Sequence, residues 1–318
     1  MNVSLQIEPV YELPEVVWIE GRDHRPAIHS IVRRLGRLWA FGQNVLLGSP
    51  DGRAWNDEAR NLRRDGEFNI CAITEYQGGL CVFARNRNGL NCYGFDSWAA
   101  EWKAVSEIET ESPCISPTWT KEGLVAALRT KDGTEIRGFD PQLQRKFSSF
   151  LPGVPEHWQM TESGIGLCAV RDRGSGDPVP WSEVYSTIDY GRTWSLVDHL
   201  PETLLAGAAA SPASALLGGT GGFLALVVDG QVNSEWREAG GDVVALDCEG
   251  DNRIAVVEAD DLEDPHRFLF SSGSKEWSGV DTQFSKRVRA VKMLEGGLVL
   301  IADERGIYGC RRRPVLVV

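Results

Sequence analysis

Seven short apolar runs recur along the chain, each after a glycine or a polar turn. They are rich in Val, Leu, Ile and Ala, and their anchor residues repeat about once every 43 residues. The anchors are Leu38, Leu80, Leu124, Leu167, Leu216, Ile254 and Leu298. Continuous apolar runs of this length are typical of strands buried on both faces. The pattern therefore predicts a buried strand in each of seven repeats.

Further strand candidates flank each run, such as IHSIVRRL and DVVALDCEG before it and LNCYGFDSWAAEW after it. An aromatic residue closes most units, at Trp55, Trp102, Phe147, Trp194, Trp236 and Trp277. Four short strands in a unit of about 43 residues indicate one blade of a β-propeller. We predict an all-β, seven-bladed β-propeller with four-stranded antiparallel blades, and six blades as the alternative count.

The two ends of the chain are predicted to close the ring within one domain, residues 1–318. The first segment, VSLQIEPV, alternates apolar and polar residues, and the last unit ends in GIYGCRR and VLVV. Joining both ends in one blade removes an open sheet edge. Either segment can take the outer place, and no linker divides the chain.

Charge and composition narrow the classes of partner. The formal net charge is −12, which argues against nucleic-acid binding and against an anionic membrane surface. No apolar run approaches the roughly 18–20 residues that span a bilayer, and the N-terminus lacks a secretory pattern. The seven cysteines show no CxxC spacing and are expected to be buried, reduced thiols. We predict a cytoplasmic protein without a cofactor.

Residues 186–194 read STIDYGRTW. Thr187, Asp189, Gly191, Thr193 and Trp194 match the pattern Ser/Thr-x-Asp-x-Gly-x-Thr-Trp, which resembles the Asp-box, or BNR repeat, of sialidase-type propellers. A shorter copy, SPDGRAW, lies at residues 49–55. The resemblance implies hairpins between the third and fourth strands, on the face away from the catalytic centre. We therefore interpret Asp189 as a turn residue and Trp194 as a wedge between blades.

The same resemblance raises the question of an enzyme. Sialidases hold the substrate carboxylate with three arginines and use a Tyr nucleophile beside a Glu. The nearest stretch to their Arg-Ile-Pro signature is HRPAI at residues 24–28, a poor match, and Tyr308 lies in an ordinary strand pattern. We predict no catalytic residues and retain a glycan-active or glycan-binding propeller as the alternative.

A ring of charged residues is the candidate partner-binding site. Arg85, Arg129 and Arg171 end the apolar runs of three consecutive repeats, and Glu258 and Asp303 take the same place in others. Asp261 lies in an acidic run, residues 260–264, which we interpret as a solvated loop rather than a calcium site. This polarised face would bind by charge complementarity. The alternative is that strand ends simply carry solvated charges.

The tryptophans outside the periodic series are a further hint of binding. Trp98 lies beside a repeat tryptophan in DSWAAEW, whereas Trp158 and Trp181 lie in or near long loops. Trp181 belongs to the proline-rich insertion at residues 171–183. His29 and Ser30 are neighbours in a predicted strand, so we place their side chains on opposite faces. The five histidines show no metal-ligand spacing, and no metal is predicted.

The function expected from these patterns is protein binding without catalysis. An acidic propeller with eroded motifs is suited to be a rigid display surface whose loops bind a partner. Bacterial toxin-immunity proteins are one class in which such folds occur. The sequence therefore predicts a neutralising or assembly partner of another protein, such as a toxin or an effector.

Overall fold

The computed structural model of this chain contains seven antiparallel blades arranged in chain order. It describes residues 3–76, 78–86, 89–96, 101–108, 117–171, 181–211, 214–229, 231–237, 240–259, 266–272, 276–282, 284, 286–295 and 297–314. Each blade has four strands, and each strand pairs with the next. The predicted all-β propeller with seven blades is confirmed.

The strands of each blade are given from the axis outward. Blade 1 contains Ala27–Arg34, Arg37–Gln43, Val45–Ser49 and Asn56–Asp57; blade 2 contains Asn69–Tyr76, Gly79–Arg85, Leu90–Asp96 and Glu101–Ile108; blade 3 contains Thr118–Thr120, Gly123–Arg129, Gly133–Phe139 and Arg145–Pro152. Blade 4 contains Val154–Met160, Gly166–Arg171, Ser182–Thr187 and Ser195–Leu200; blade 5 contains Leu204–Ser211, Ser214–Gly219, Phe223–Val228 and Gln231–Arg237; blade 6 contains Gly241–Glu249, Asn252–Ala259, His266–Ser272 and Ser278–Thr282. Blade 7 contains Ala290–Met293, Leu298–Ala302, Gly306–Pro314 and Val3–Glu12.

Three small elements lie outside the blades. Val17–Ile19 and Arg22–His24 form a hairpin before blade 1, and two short 3₁₀ helices span Leu62–Asp65 and Thr220–Gly222. Among the described residues, no helix has the length and apolar character needed to cross a membrane.

The N-terminal segment closes the ring. Val3–Glu12 is the outer strand of blade 7 and pairs antiparallel with Gly306–Pro314, with Ile7 opposite Cys310. The C-terminal strand is therefore third, a choice that the sequence left open. The VLVV segment at residues 315–318 lies outside the described residues.

The core consists of seven apolar clusters, and each lies between two neighbouring blades. The cluster between blades 6 and 7 includes Phe268 and Ile301, both fully buried. The cluster that joins blade 7 to blade 1 includes Leu300 and Leu38. Five further clusters fill the remaining boundaries. All seven predicted runs are second strands, which are buried on both faces because each packs against two neighbouring blades.

The antiparallel order gives the propeller two different faces. Hairpins between first and second strands, and between third and fourth strands, lie on one face, which we call the Asp-box face. Hairpins between second and third strands, and the connections between blades, lie on the other, which we call the loop face. Backbone hydrogen bonds tie hairpins together on the Asp-box face, as from Lys121 N to Glu162 O (2.9 Å) and from Tyr190 N to Gly164 O (3.0 Å).

Candidate functional site

The STIDYGRTW stretch forms the hairpin between the third and fourth strands of blade 4. The Asp189 carboxylate accepts hydrogen bonds from Thr187 Oγ1 (2.8 Å), Thr193 N (3.0 Å) and Thr193 Oγ1 (2.6 Å). Gly191 N donates to Thr187 Oγ1 (3.1 Å), and Gly191 has a φ of +83°, which a residue without Cβ adopts readily. Trp194 Nε1 donates to Gly191 O (3.0 Å). The polar groups of the motif thus form hydrogen bonds within the turn itself.

This turn also fastens blade 4 to blade 3. The Trp194 ring packs on the apolar cluster between these blades, with its centroid 5.8 Å from that of Trp158. Ser149 in blade 3 donates a hydrogen bond to Gly191 O (2.6 Å). Arg192 pairs with Glu122 of blade 3. These contacts support a structural role for the motif.

The shorter copy in blade 1 has one residue fewer and keeps three hydrogen bonds of the pattern, which the glycine N–H, the tryptophan indole N–H and a backbone N–H after the aspartate donate. Gly52 N donates to Ser49 Oγ (2.8 Å), and Trp55 Nε1 donates to Gly52 O (3.1 Å). Asp51 accepts from Arg53 N (2.9 Å). Trp55 packs in the cluster between blades 7 and 1. The motif is therefore shorter in blade 1, yet its geometry survives there.

The three arginines of the predicted ring end the second strands of blades 2, 3 and 4, on the loop face. Arg129 is exposed, whereas Arg85 and Arg171 are partly buried. Arg171 Nε lies 3.4 Å from Glu156 Oε1, so this arginine has a partner within its own blade. The placement agrees with the predicted ring, and a role in partner binding stays a prediction.

Glu156 is the centre of a buried polar network beside Arg171. Its Oε2 accepts hydrogen bonds from Ser182 Oγ (2.8 Å) and from Leu204 N (3.1 Å) of blade 5. Burial raises the pKa of Glu156 above its usual range, although Ser182, Arg171 and Leu204 act in the opposite direction. This carboxylate links blades 4 and 5, and it was not among the residues selected from the sequence.

The acidic members of the predicted ring differ in exposure. Glu258, at the end of the second strand of blade 6, is partly buried. Asp303 is buried, and its Oδ1 accepts from Arg305 N and Gly306 N, both at 2.6 Å. Tyr308 Oη donates to Asp303 Oδ2 at 3.2 Å. The Asp303 carboxylate thus accepts the backbone hydrogen bonds of its own turn. Asp261 lies outside the described residues.

The non-periodic tryptophans have different surroundings. Trp181 is partly buried, and its ring stands edge-on to His199 with centroids 4.9 Å apart. Trp158, which the sequence places in or near a long loop, lies buried in the first strand of blade 4 and fills the cluster between blades 3 and 4. Trp98 lies outside the described residues.

A hairpin on the loop face presents an aromatic residue that the sequence did not single out. Trp18 is 70% exposed, whereas its neighbour Ile19 is 1% exposed. The turn at Glu20 and Gly21 has φ values of +49° and +76°, the signs expected of a two-residue type I′ turn. The signal in the sequence that could have indicated this hairpin is the Glu-Gly pair between two strand-like segments.

The base of this hairpin is tied to blade 1. His24 Nδ1 lies 3.3 Å from Glu67 Oε1, which also accepts from Gln43 Nε2 at 3.3 Å. Gln43 ends the second strand of blade 1, the position that the arginines occupy in blades 2 to 4. The hairpin and the arginine ring therefore share the loop face.

A polar channel runs along the axis of the propeller. Two overlapping cavities of about 540 and 620 Å³ are lined by the first strands of all seven blades. Several of these strands carry a β-bulge near the loop face, as between Ile28 and Ser30 in blade 1. His29 and Ser30 both lie along the channel wall, as do the residues that follow them to Arg34, and the placement of their two side chains on opposite faces stays a prediction.

Similarity to solved structures agrees with this geometry. YCF48 bound to D1 peptide has 12% sequence identity and a TM-score of 0.66, with 96% of each chain covered. Streptogramin B lyase has 10% identity and a TM-score of 0.66, covering 97% of this chain and 98% of that chain. The chain has the β-propeller fold. The WD40 β-propeller domain of Doa1 is also similar, with 9% identity, a TM-score of 0.60, and 96% and 97% of the two chains covered.

These likenesses establish the fold alone, because all three identities are low. No protein-family model matches the sequence, and the search of curated proteins gives no match. Within the described residues, no three His, Cys, Asp or Glu side chains converge as a metal site would require.

Proposed function

We propose that this chain is a non-catalytic propeller of the Asp-box type that binds another protein through its loop face. The observation that carries the proposal is Trp18, which a two-residue turn holds in solvent while Ile19 anchors the same strand in the protein. Exposing an indole ring to water is unfavourable, and tryptophan is enriched among the residues that dominate binding energy at protein interfaces. The rigid hairpin limits the entropy that binding would cost.

The surroundings of Trp18 support this use of the face. Val16, two residues earlier, is 45% exposed, and the arginines that end the second strands of blades 2 to 4 lie on the same face. An apolar centre with charged groups around it is the usual composition of a protein interface. YCF48, a propeller of similar fold, was solved bound to D1 peptide. The partner class that we propose is a protein that this chain neutralises or helps to assemble, such as a toxin or an effector in a bacterial cytoplasm.

A glycan-active propeller is the alternative, and no described contact favours it. Tyr308 lines a groove with Lys286 and Phe284 rather than the axial channel, and its hydroxyl contacts Lys286 and Asp303. Turnover of a fluorogenic sialoside that is lost in a Tyr308→Phe variant would favour the alternative.

Capture of a partner from the native host, followed by titration of the purified pair, tests the proposal. We expect Trp18→Ala to weaken binding by at least about thirtyfold, the effect of losing one interface hot spot. Ile188→Ala is the matched control, because Ile188 is 82% exposed on the Asp-box face. Both variants should melt at the wild-type temperature, since both side chains are in solvent.

Unchanged binding by Trp18→Ala would contradict the use of this face. A loss of binding in Ile188→Ala alone would place the interface on the Asp-box face instead.

A further inference from the structure

The axial channel is large enough for a small molecule and is shared by all blades. The larger cavity, about 620 Å³, lies against the first strands of blades 1 to 5, and the smaller one against those of blades 1, 5, 6 and 7. Both include Arg34 and His29 in their walls. Pockets that enclose small ligands have volumes of roughly 300–1,000 Å³.

The charge of the channel is opposite to that of the whole chain. The chain has a formal net charge of −12, yet among the described residues no Asp or Glu lines the larger cavity. The smaller cavity is lined by two carboxylates, Asp247 and Glu249, and by four cationic side chains, and Lys292 Nζ lies 2.8 and 2.9 Å from the carboxylate oxygens of Asp247. In the larger cavity, therefore, no carboxylate of the described residues balances the positive charge of Arg34.

Arg34 is the cation that both cavities share. Its Nε donates to Ile73 O (3.3 Å) and its Nη1 to Arg33 O (2.9 Å), which fixes the guanidinium across the boundary between blades 1 and 2. Glu75 attracts it electrostatically, but Glu75 Oε1 accepts a hydrogen bond from Leu35 N (2.8 Å). No carboxylate of the described residues forms an ion pair with Arg34, and its Nη2 has no protein partner there.

The other polar groups of the cavity are hydrogen-bond donors without a negative charge. Burial lowers the pKa of His29, and burial lowers that of His157 to about 4, so both rings are neutral at pH 7. His157 Nε2 has no hydrogen-bond partner among the described residues. Asn69 and Thr118 also line the cavity. Arg34 ends the first strand of blade 1 at the Asp-box face, and these neutral N–H and O–H groups lie further along the cavity wall. Arg34 can therefore pair with an oxyanion while the neutral groups donate hydrogen bonds to the rest of the same ligand.

We propose that the axial channel binds a small molecule that carries an oxyanion, either a carboxylate or a phosphate, with Arg34 as its principal contact. The guanidinium offers parallel N–H donors whose spacing fits such groups. The body of the ligand occupies the larger cavity. This site is independent of the protein interface on the loop face, because it requires neither Trp18 nor a partner.

Calorimetric titration of the full chain with matched probes tests the site. The probes are AMP against adenosine and benzoate against benzamide, which differ in the oxyanion alone. We expect at least one anion of the two pairs to bind about tenfold or more tightly than its neutral analogue, and Arg34→Gln to abolish the difference. Arg145→Gln removes the same charge from the exposed outer strand of blade 3 and should leave the binding unchanged.

The proposal is overturned if neither anion binds more tightly than its neutral analogue, or if Arg34→Gln and Arg145→Gln weaken binding equally. Should Arg34→Gln fail to fold, nuclear magnetic resonance of the wild type decides the question. Added AMP or benzoate should then shift the Arg34 Nε–H signal and the His157 imidazole signals. Unshifted signals at saturating probe would reject the site.

Discussion

Asp189 has both carboxylate oxygens engaged by the turn in which it lies. Burial by itself would raise its pKa, but hydrogen bonds from Thr193 and Thr187 outweigh this effect and lower the pKa. A charged acceptor that binds one donor before the turn, Thr187 Oγ1, and two donors after it, Thr193 N and Oγ1, stabilises the turn and leaves neither carboxylate oxygen without a partner. The most conspicuous residue of the sequence is thus structural in its contacts.

We expect Asp189→Ala to lower the free energy of unfolding by about 1–3 kcal/mol, because it leaves several hydrogen-bond donors without their acceptor. Urea denaturation measures the change. Asp51→Ala is the matched comparison and should cost less, since Asp51 is exposed and its turn in blade 1 is one residue shorter. Equal losses in the two variants would contradict the role given to Asp189.

The closing strand is the element on which the ring depends. Val3–Glu12 pairs with Gly306–Pro314 along its length, with a bulge between Pro9 and Tyr11. Ile7 packs against the cluster between blades 6 and 7, and Tyr11 packs against the cluster between blades 7 and 1, whereas Glu8 is exposed. A strand far from its partner in sequence is therefore held by pairing and by burial against both neighbouring blades.

We expect Ile7→Asp to destabilise the protein by about 2 kcal/mol or more, because it places an unpaired charge against an apolar cluster. Glu8→Ala, one position along, should change stability little. Chemical denaturation together with limited proteolysis of the N-terminal strand checks both. The strand register would be wrong if Glu8→Ala proved the more damaging change.

Across the whole molecule, blade contacts along the axis bury ionisable groups. The His157 ring of blade 4 packs against the backbone of Gly207 in blade 5, where an added Cβ would lie 2.2 Å from Nδ1. This contact explains why position 207 is a glycine. Burial lowers the pKa of His157 to about 4, whereas burial raises that of Asp247.

We expect the pH dependence of stability to change in His157→Gln. In the unfolded chain His157 takes up a proton near its ordinary pKa of 6.5, but in the folded protein it does so only near pH 4. The unfolded state therefore binds more protons between these values, and stability is lost as the pH falls from about 6.5 to about 4. Urea denaturation at several pH values should show a flatter profile for His157→Gln.

Asp247 acts in the opposite direction, because its raised pKa makes its contribution fall as the pH rises. For this reason the decisive quantity is the difference in the free energy of unfolding between His157→Gln and the wild type at each pH. A profile that His157→Gln leaves unchanged would contradict the burial of this ring.

Much of the fold could be predicted, but the surroundings of individual side chains could not. The anchors from Leu38 to Leu298 all lie in second strands, since burial on both faces leaves a continuous apolar run. The first strand of blade 5, LLAGAAAS, is not among the strand candidates identified from the sequence, because its small residues have neither apolar periodicity nor β-branching.

The sequence by itself determined the blade, its count and the turn that STIDYGRTW forms, because each depends on neighbours within about 43 residues. Only the tertiary structure decided the closing strand, the exposure of Trp18 and the position of Arg34 on the channel. These depend on pairing across the chain and on bulges that break the alternation of a strand, as at Ile28 and Ser30. A local pattern specifies a strand, but its faces are assigned only when the ring closes around the axis.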